Sequence, residues 1–381
     1  MHISEYPPLT PAEYSRYARH LSLPDFGLEG QRKLKATKVL VVGAGGLGSP
    51  VLLYLAAAGI GHIGIVDFDR IDETNLQRQV LYTVQDVGAS KAKKAQARIQ
   101  ALNPHIEVTI YDTPLTKTNA LEVIQHYDIV ADGTDNFPTR YLVNDACVLA
   151  GKVNVYASIF RFEGQVSVFN FLHPNGERGP NYRDIFPSPP PPDLVPNCAE
   201  GGVLGVLPGI IGSMQACEVI KVAADIGEPL AGKLFLFDAA TFTSRTLNIR
   251  KTSEVKIEKL IDYDAFCNPA QKKEQEVKSI TVQELQQIIN DDQDLQLIDV
   301  RQAYELEIAH IGGIHIPLNE IEQASDQIDR QRKVVLYCRS GKRSRQAIQK
   351  LKKLAAFENL FNLEGGILAW ADQIDPDMRK Y

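Results

Sequence analysis

Residues 38–42, Lys-Val-Leu-Val-Val, form an unbroken β-branched run that stops at glycine, the pattern of a strand buried on both faces of a parallel sheet. Residues 14–35 before it alternate polar and apolar positions as short amphipathic helical pieces, punctuated by Leu23-Pro24-Asp25 and Gly27. After it, residues 51–58 predict a helix with Gly59 as its C-terminal cap, and residues 63–67 a second strand, which completes a βαβ unit. Strands predicted at 107–111 and 128–132 alternate with helices at 91–102 and 119–126, continuing the α/β rhythm.

Past Lys152 the pattern changes. VNVYASIFRFEGQVSVFN predicts a pair of antiparallel strands, 212–224 a helix and 233–237 a strand. The proline run at 187–192 fits neither a regular helix nor a central strand and predicts an exposed loop. Between Cys267 and Ser279 the segment NPAQKKEQEVK has Val277 as its one large apolar residue, the composition of a linker. Beyond it, a helix at 281–289, strands at 296–300 and 333–337 and a long helix from Ser344 outline a second, smaller α/β domain. The expected architecture is a Rossmann-like doubly wound α/β sheet with an antiparallel extension over residues 1–265, a linker at 266–278, and the small domain at 279–381.

A chain of 381 residues with 44% hydrophobic side chains can fill two cores. Its 41 basic and 47 acidic side chains give a net charge of −6, and both halves are mildly acidic, so no nucleic-acid partner is expected. Five cysteines, odd in number and without any C-x-x-C pair, argue against a disulfide framework and a zinc ribbon. The N-terminus lacks a targeting pattern and the apolar runs are short and broken by glycine. No membrane span is expected, and a cytoplasmic location is the reading.

Gly43, Gly45 and Gly48 form G-x-G-x-x-G between strand and helix, with Asp67 at the end of the next strand. Glycines let the backbone approach phosphates, helix amides receive the anion, and the carboxylate accepts ribose hydroxyls. Taken alone the motif fits a nicotinamide or flavin enzyme, another nucleotide site, or a tight turn without ligand. The segment from Asp67 through Asp69, Asp72, Thr74, Asn75, Gln77 and Arg78 to Gln79 resembles the ATP motif of the MoeB/ThiF family, relatives of ubiquitin-activating enzymes. Arg16-Tyr17-Ala18-Arg19, Lys91 in VGASK, Thr134-Asp135-Asn136 and FEGQVSVF extend the resemblance over roughly residues 10–265.

That resemblance implies that Gly45 and Gly46 line the phosphate loop and that Asp67 binds ribose. It assigns Asn75, Arg78 and Lys91 to the triphosphate, with Asp69, Thr74, Gln77 and Asn136 in the same ATP site, and Asp135 to Mg²⁺. Arg19 matches an arginine that reaches the ATP of the opposite subunit, which implies a homodimer. The residue types suit a carboxylate attacking an α-phosphate: two anions meet, and cations must screen them. Singly, each residue also reads as a solvated charge or a turn cap; their joint order favours the site.

Many MoeB and ThiF proteins hold a structural zinc with two C-x-x-C pairs. Here Asn181-Tyr182-Arg183-Asp184 stands in the place of the first and Cys267-Asn268-Pro269-Ala270 in that of the second, so no structural zinc is expected. Cys198 matches a cysteine that in some members forms a covalent link to the carrier; an inert loop thiol is the other reading. Cys147 and Cys217, in apolar helical contexts, are expected in the core.

In the last part of the chain, Leu297-Ile298-Asp299-Val300-Arg301, His310-Ile311-Gly312-Gly313, and Cys338-Arg339-Ser340-Gly341-Lys342-Arg343-Ser344 look like rhodanese over about residues 279–381. Cys338 ends a strand and opens a loop whose amides favour a thiolate or persulfide, and Arg339, Lys342 and Arg343 are expected to surround it with charge, against an apolar site. A phosphatase loop would read C-x₅-R, whereas Arg343 makes this one C-x₄-R. Together the resemblances imply Mg-ATP adenylation of the terminal Gly-Gly of a ubiquitin-like sulfur-carrier protein. The carrier would be of the molybdopterin synthase type first and the thiamine type next, with a sulfur donor such as a cysteine desulfurase loading Cys338. The rival readings are a nicotinamide oxidoreductase with a regulatory rhodanese module and a non-catalytic carrier-docking scaffold.

Overall fold

A computed structural model describes residues 6–190, 202–252, 255–267, 277–355 and 357–380. It divides into two units, Met1–Pro269 and Ala270–Tyr381. In the first, the apolar runs become β1 (Lys38–Val42), β2 (His62–Val66), β3 (Glu107–Tyr111), β4 (Ile129–Asp132), β5 (Val153–Phe160), β6 (Glu163–Phe169), β7 (Lys233–Asp238) and β8 (Thr243–Asn248). They form one sheet in the order 3-2-1-4-5-6-7-8. Pairing is parallel from β3 to β5 and antiparallel from β5 to β8, as the change of pattern after Lys152 predicts.

β1 is buried from its second residue onward because helices cover both faces of the parallel sheet. Helix Gly48–Ala58 is apolar almost all round, since it packs on the sheet and against helix Leu207–Ala224. Their crossing is close: a Cβ on Gly212 would run into the carbonyl of Leu47 and the ring of Pro50.

Some elements differ from expectation. Helix Leu207–Ala224 starts well before residue 212, because Pro208 sits in the first turn, where its missing amide costs nothing. Helix Phe137–Ala150, absent from the expected set, is capped by Asn136, whose side chain accepts from the Thr139 amide, and ends at left-handed Gly151. β8 is exposed along its whole length, so it carries no alternation to read; pairing with β7 makes it a strand.

The second unit holds β9 (Ser279–Ile280), β10 (Leu295–Asp299), β11 (Ile314–His315), β12 (Lys333–Tyr337) and β13 (Leu360–Leu363), in the order 11-10-12-13-9 and parallel throughout. β12 is its buried centre. Gly341, at φ +87°, turns the chain from β12 into helix Lys342–Leu354. Residues 268–276 of the expected linker lie outside the described residues.

Replacing Gly212 by alanine should destabilise the first unit by about 1–3 kcal/mol, because an extra carbon is forced into a close-packed crossing. Urea unfolding followed by circular dichroism measures it, and an unchanged midpoint would contradict the described crossing.

Candidate functional site

The strand order reverses at β1, with β2 on one side and β4 on the other, and the crevice at the carboxyl ends of such strands is where open α/β sheets bind ligands. A cleft of about 630 Å³ lies there, inside the range of roughly 300–1,000 Å³ usual for small-molecule sites. Gly43, at φ +93°, begins its floor, and a Cβ on Gly48 would strike the Gly43 carbonyl, so the turn closes only around glycine.

Of the expected ATP residues, Gly45, Gly46, Asp67, Asp69, Arg78, Lys91, Asp135 and Asn136 line this one cleft, together with apolar Val66, Phe68, Leu115 and Ile159. Asp67 accepts from the amides of Ala44 at 2.8 Å and Asp69 at 2.9 Å. Burial pushes its carboxyl above the usual range despite those amides and nearby Lys91. Lys91 reaches Asp69 at 2.8 Å. Arg78 donates to the Thr74 carbonyl at 3.0 Å, and exposed Asp135 accepts from the Asn136 side-chain Nδ2 at 3.4 Å. Thr74, Asn75 and Gln77 sit on the adjoining turn and are not among the lining residues; the Asn75 side chain accepts from the Asp72 amide, and Gln77 packs beneath Gly205. Arg19 is exposed on helix Ala18–Leu21, away from the cleft lining.

Two buried polar side chains at the cleft escaped the residue-by-residue reading. Gln79, the last residue of the quoted motif, lines the cleft beside Gly45 with its carbonyl oxygen unpartnered. Arg140 donates to the Thr134 carbonyl at 3.0 Å and lies 5.3 Å over the Tyr156 ring. Its signal was a cation five residues after Asp135, next to the apolar run Tyr141-Leu142-Val143. Behind it Asp132 accepts from Thr134 Oγ1 at 2.6 Å, and burial raises its carboxyl against the pull of Arg140.

In the second unit β12 delivers Cys338 to the head of helix Lys342–Leu354. The cysteine is 1% exposed and belongs to an apolar cluster with Ile298, Val300 and Ala347. This corrects the expectation that the thiol's surroundings are not apolar. Arg343 forks onto buried Glu305 at 2.6 and 2.7 Å, so its charge is neutralised within the fold. Glu305 also accepts from the Gln302 amide, and the Gln302-x-x-Glu305 capping-box spacing was the available signal for it. Cys338 Sγ instead accepts from the Gly341 amide at 3.1 Å and lies 3.5 Å from Ser344 Oγ, which is 2.6 Å from Asn362 Oδ1. Ser340 and Lys342 are exposed and Arg339 half-buried.

Cys147 is in the core as expected, while Cys217 is not: it falls on the outer face of helix Leu207–Ala224, whose other faces do the packing. Burial pushes the Cys267 thiol up to about 11. Cys198, with residues 191–201, lies outside the described residues. Among the described residues no cluster of metal-ligating side chains occurs, and no helix is long and apolar enough to cross a membrane.

A glycine-loop cleft at the switch point of a Rossmann-like sheet, in a chain that also carries a cysteine-loop domain, defines a nucleotide-binding enzyme joined to a sulfur-handling one. Residues 17–257 match the ThiF family and residues 281–373 the rhodanese-like domain, and the chain belongs to the ThiF family. It is 50% identical over 380 residues to a probable adenylyltransferase/sulfurtransferase MoeZ of Mycobacterium tuberculosis, covering 98% of this chain and 96% of that one. It is 42% identical to the adenylyltransferase and sulfurtransferase MOCS3 of Drosophila grimshawi, covering 97% and 86%. A sulfur carrier protein adenylyltransferase of Thermus thermophilus is 53% identical over 265 residues, 68% of this chain and 98% of that one. These identities make the chain an enzyme of the adenylyltransferase and sulfurtransferase class, and they do not favour the nicotinamide reading of the glycine loop. The crystal structure of E. coli MccB with ATP shares the fold, with a TM-score of 0.54 at 24% identity over 64% of this chain and 72% of that one.

Thiol accessibility tests the placement of the cysteines. Iodoacetamide at pH 8 should label Cys217 in the folded protein within minutes and Cys147 and Cys267 only after unfolding, read by peptide mass spectrometry. Rapid labelling of Cys267 in the folded chain would contradict its burial.

Proposed function

We propose that this chain uses Mg-ATP to adenylate the C-terminal Gly-Gly carboxylate of a ubiquitin-like sulfur-carrier protein, and that a persulfide on Cys338 supplies the sulfur. The observation that carries the reading is the convergence of Arg78, Lys91, Asp67 and Asp135 with the glycine loop on one cleft. The sulfur carrier named for the Thermus relative supports the substrate class.

In this reading Gly45 and Gly46 bring backbone close to the phosphates, and Asp67, held by two amides, presents its carboxylate to ribose. Arg78, Lys91 and Asn75 hold the triphosphate, and Asp69 releases Lys91 toward it. Asp135, exposed at the cleft and touching Asn136, suits Mg²⁺, which screens phosphate charge when bound with ATP. The carrier carboxylate forms a bond to the α-phosphorus as the bond to pyrophosphate breaks; no side-chain nucleophile is needed, since positioning and charge neutralisation suffice. The terminal sulfur of the Cys338 persulfide then attacks the acyl carbonyl and expels AMP, and a thiol reductant frees the thiocarboxylate from the resulting acyl disulfide. Residues 266–278 act as the tether that makes this transfer intramolecular.

The carrier is of the molybdopterin synthase small-subunit type first and the thiamine type second, and a cysteine desulfurase is the donor class. The chain works as a cytoplasmic homodimer in which Arg19 serves the neighbouring cleft. Cys198 is the candidate for a covalent link to the carrier.

Labelled pyrophosphate should exchange into ATP when the protein is mixed with its carrier. Asp135→Asn should lower that exchange by about 10²–10³-fold, the usual loss when one electrostatic group is removed. Cys338→Ala should let acyl-adenylate accumulate without thiocarboxylate. No exchange with any Gly-Gly carrier of the same genome would end the reading.

A further inference from the structure

The positions that hold structural zinc in many members of the family correspond here to Asn181, Asp184, Cys267 and Ala270. The donors present do not fit a metal. Asn181 Oδ1 accepts from the Arg183 amide at 2.9 Å and from Asn144 Nδ2 at 3.2 Å. Asp184 Oδ2 accepts from the amide and the side chain of Asn181 at 2.7 and 2.9 Å, and its Oδ1 from the amide and hydroxyl of Thr252 at 2.7 and 3.1 Å. Cys267 is the lone sulfur at these positions and is buried. Between these positions Arg183 places a buried cation.

We infer that this chain joins without metal the segments that zinc joins in its relatives, through a buried clamp of Arg183, Asp145 and Tyr263 set against Tyr141 and Phe266. Arg183 forks onto Asp145 with Nε at 2.8 Å and Nη2 at 2.7 Å, and Tyr263 donates its hydroxyl to the same carboxylate at 2.8 Å. The guanidinium lies 4.9 Å over the Tyr141 ring and 4.7 Å over the Phe266 ring, and those rings meet edge to face. Three distant stretches are thereby tied together: helix Phe137–Ala150, the turn Tyr182–Asp184 and helix Tyr263–Cys267.

The chemistry is closed in the way a metal centre is closed. The carboxylate receives both arms of a planar fork and a phenol, so its burial is compensated, and a lysine in place of Arg183 would supply neither the fork nor the flat cationic face. Aromatic faces on the guanidinium replace the water it loses. The clamp also positions the wall of the nucleotide cleft, because Asp264, next to Tyr263, is one of its lining residues.

Elemental analysis of the purified full chain should find no zinc above trace level, and a strong chelator should leave its thermal melting unchanged. Arg183→Met strands a buried carboxylate and should lower the melting temperature by on the order of 10 °C. Tyr263→Phe, which removes one hydrogen bond and keeps the ring, should lower it by about 2–4 °C and stays informative if the first variant fails to fold. Stoichiometric zinc whose removal lowers the melting temperature would overturn the inference, as would a Tyr263→Phe chain that melts like the unsubstituted one.

Discussion

The cleft depends on a topological constraint at β1. With β2 and β4 on opposite sides of it, the connections that leave the carboxyl ends of β1 and β4 go to opposite faces of the sheet, and the space between them cannot be filled by either. Everything assigned to the nucleotide hangs on that gap. The glycine turn follows β1, Asp67 follows β2, and Asp135 with Asn136 follows β4. Residues from three separate stretches therefore meet at the ends of rigid strands, which fix their spacing.

The second unit applies the same principle to sulfur. β12 is central and fully buried beyond its first residue, so the residue after it, Cys338, is set at the end of a rigid element. The Gly341 amide and the Ser344 hydroxyl face its sulfur. A persulfide needs stabilisation as an anion and protection from stray reaction with water or oxidants. For the persulfide proposed on Cys338, the Gly341 amide in a nearly dry pocket would serve both ends, since a low local dielectric strengthens the hydrogen bond.

Much of this was legible in the sequence because parallel strands buried on both faces write themselves as continuous apolar runs, and because glycine turns and cysteine loops occupy fixed positions after them. β1 and β12 were recognisable for that reason, and β5 and β6 through the change to an antiparallel pattern after Lys152. β8 was not, since an edge strand exposed on every residue has no pattern and exists through its neighbour. Helix Phe137–Ala150 was hidden by its interior Asn144 and Asp145, polar residues that look like a loop until Arg183 and Tyr182, far along the chain, supply their partners. Long-range pairing also governs Arg343: it lies in the first turn of the helix after the cysteine loop, but Glu305 on another element decides where it points. Local sequence shows which charges exist; tertiary structure decides which remain available.

That distinction separates the charges that hold the fold from those suited to act. Arg183 and Asp145 are both nearly inaccessible, their side chains 6% and 2% exposed, so neither can leave without stranding the other in a medium that cannot hydrate it. Lys91 and Asp69 are different. Lys91 is 7% exposed but Asp69 is 54% exposed, so the carboxylate can return to water at little expense. A pair with one solvated partner contributes only about 0–1 kcal/mol. In the proposed ATP-binding role, an incoming phosphate with more than one negative charge would outcompete Asp69 for Lys91, and the cation would already be in position. A closed pair in that place would hold the cleft shut to anions, and an unpaired lysine would have to remain charged in a buried site before the nucleotide arrives. The half-solvated pair avoids both, which is why the exposure of Asp69, more than the burial of Lys91, makes the cleft suited to binding a polyphosphate.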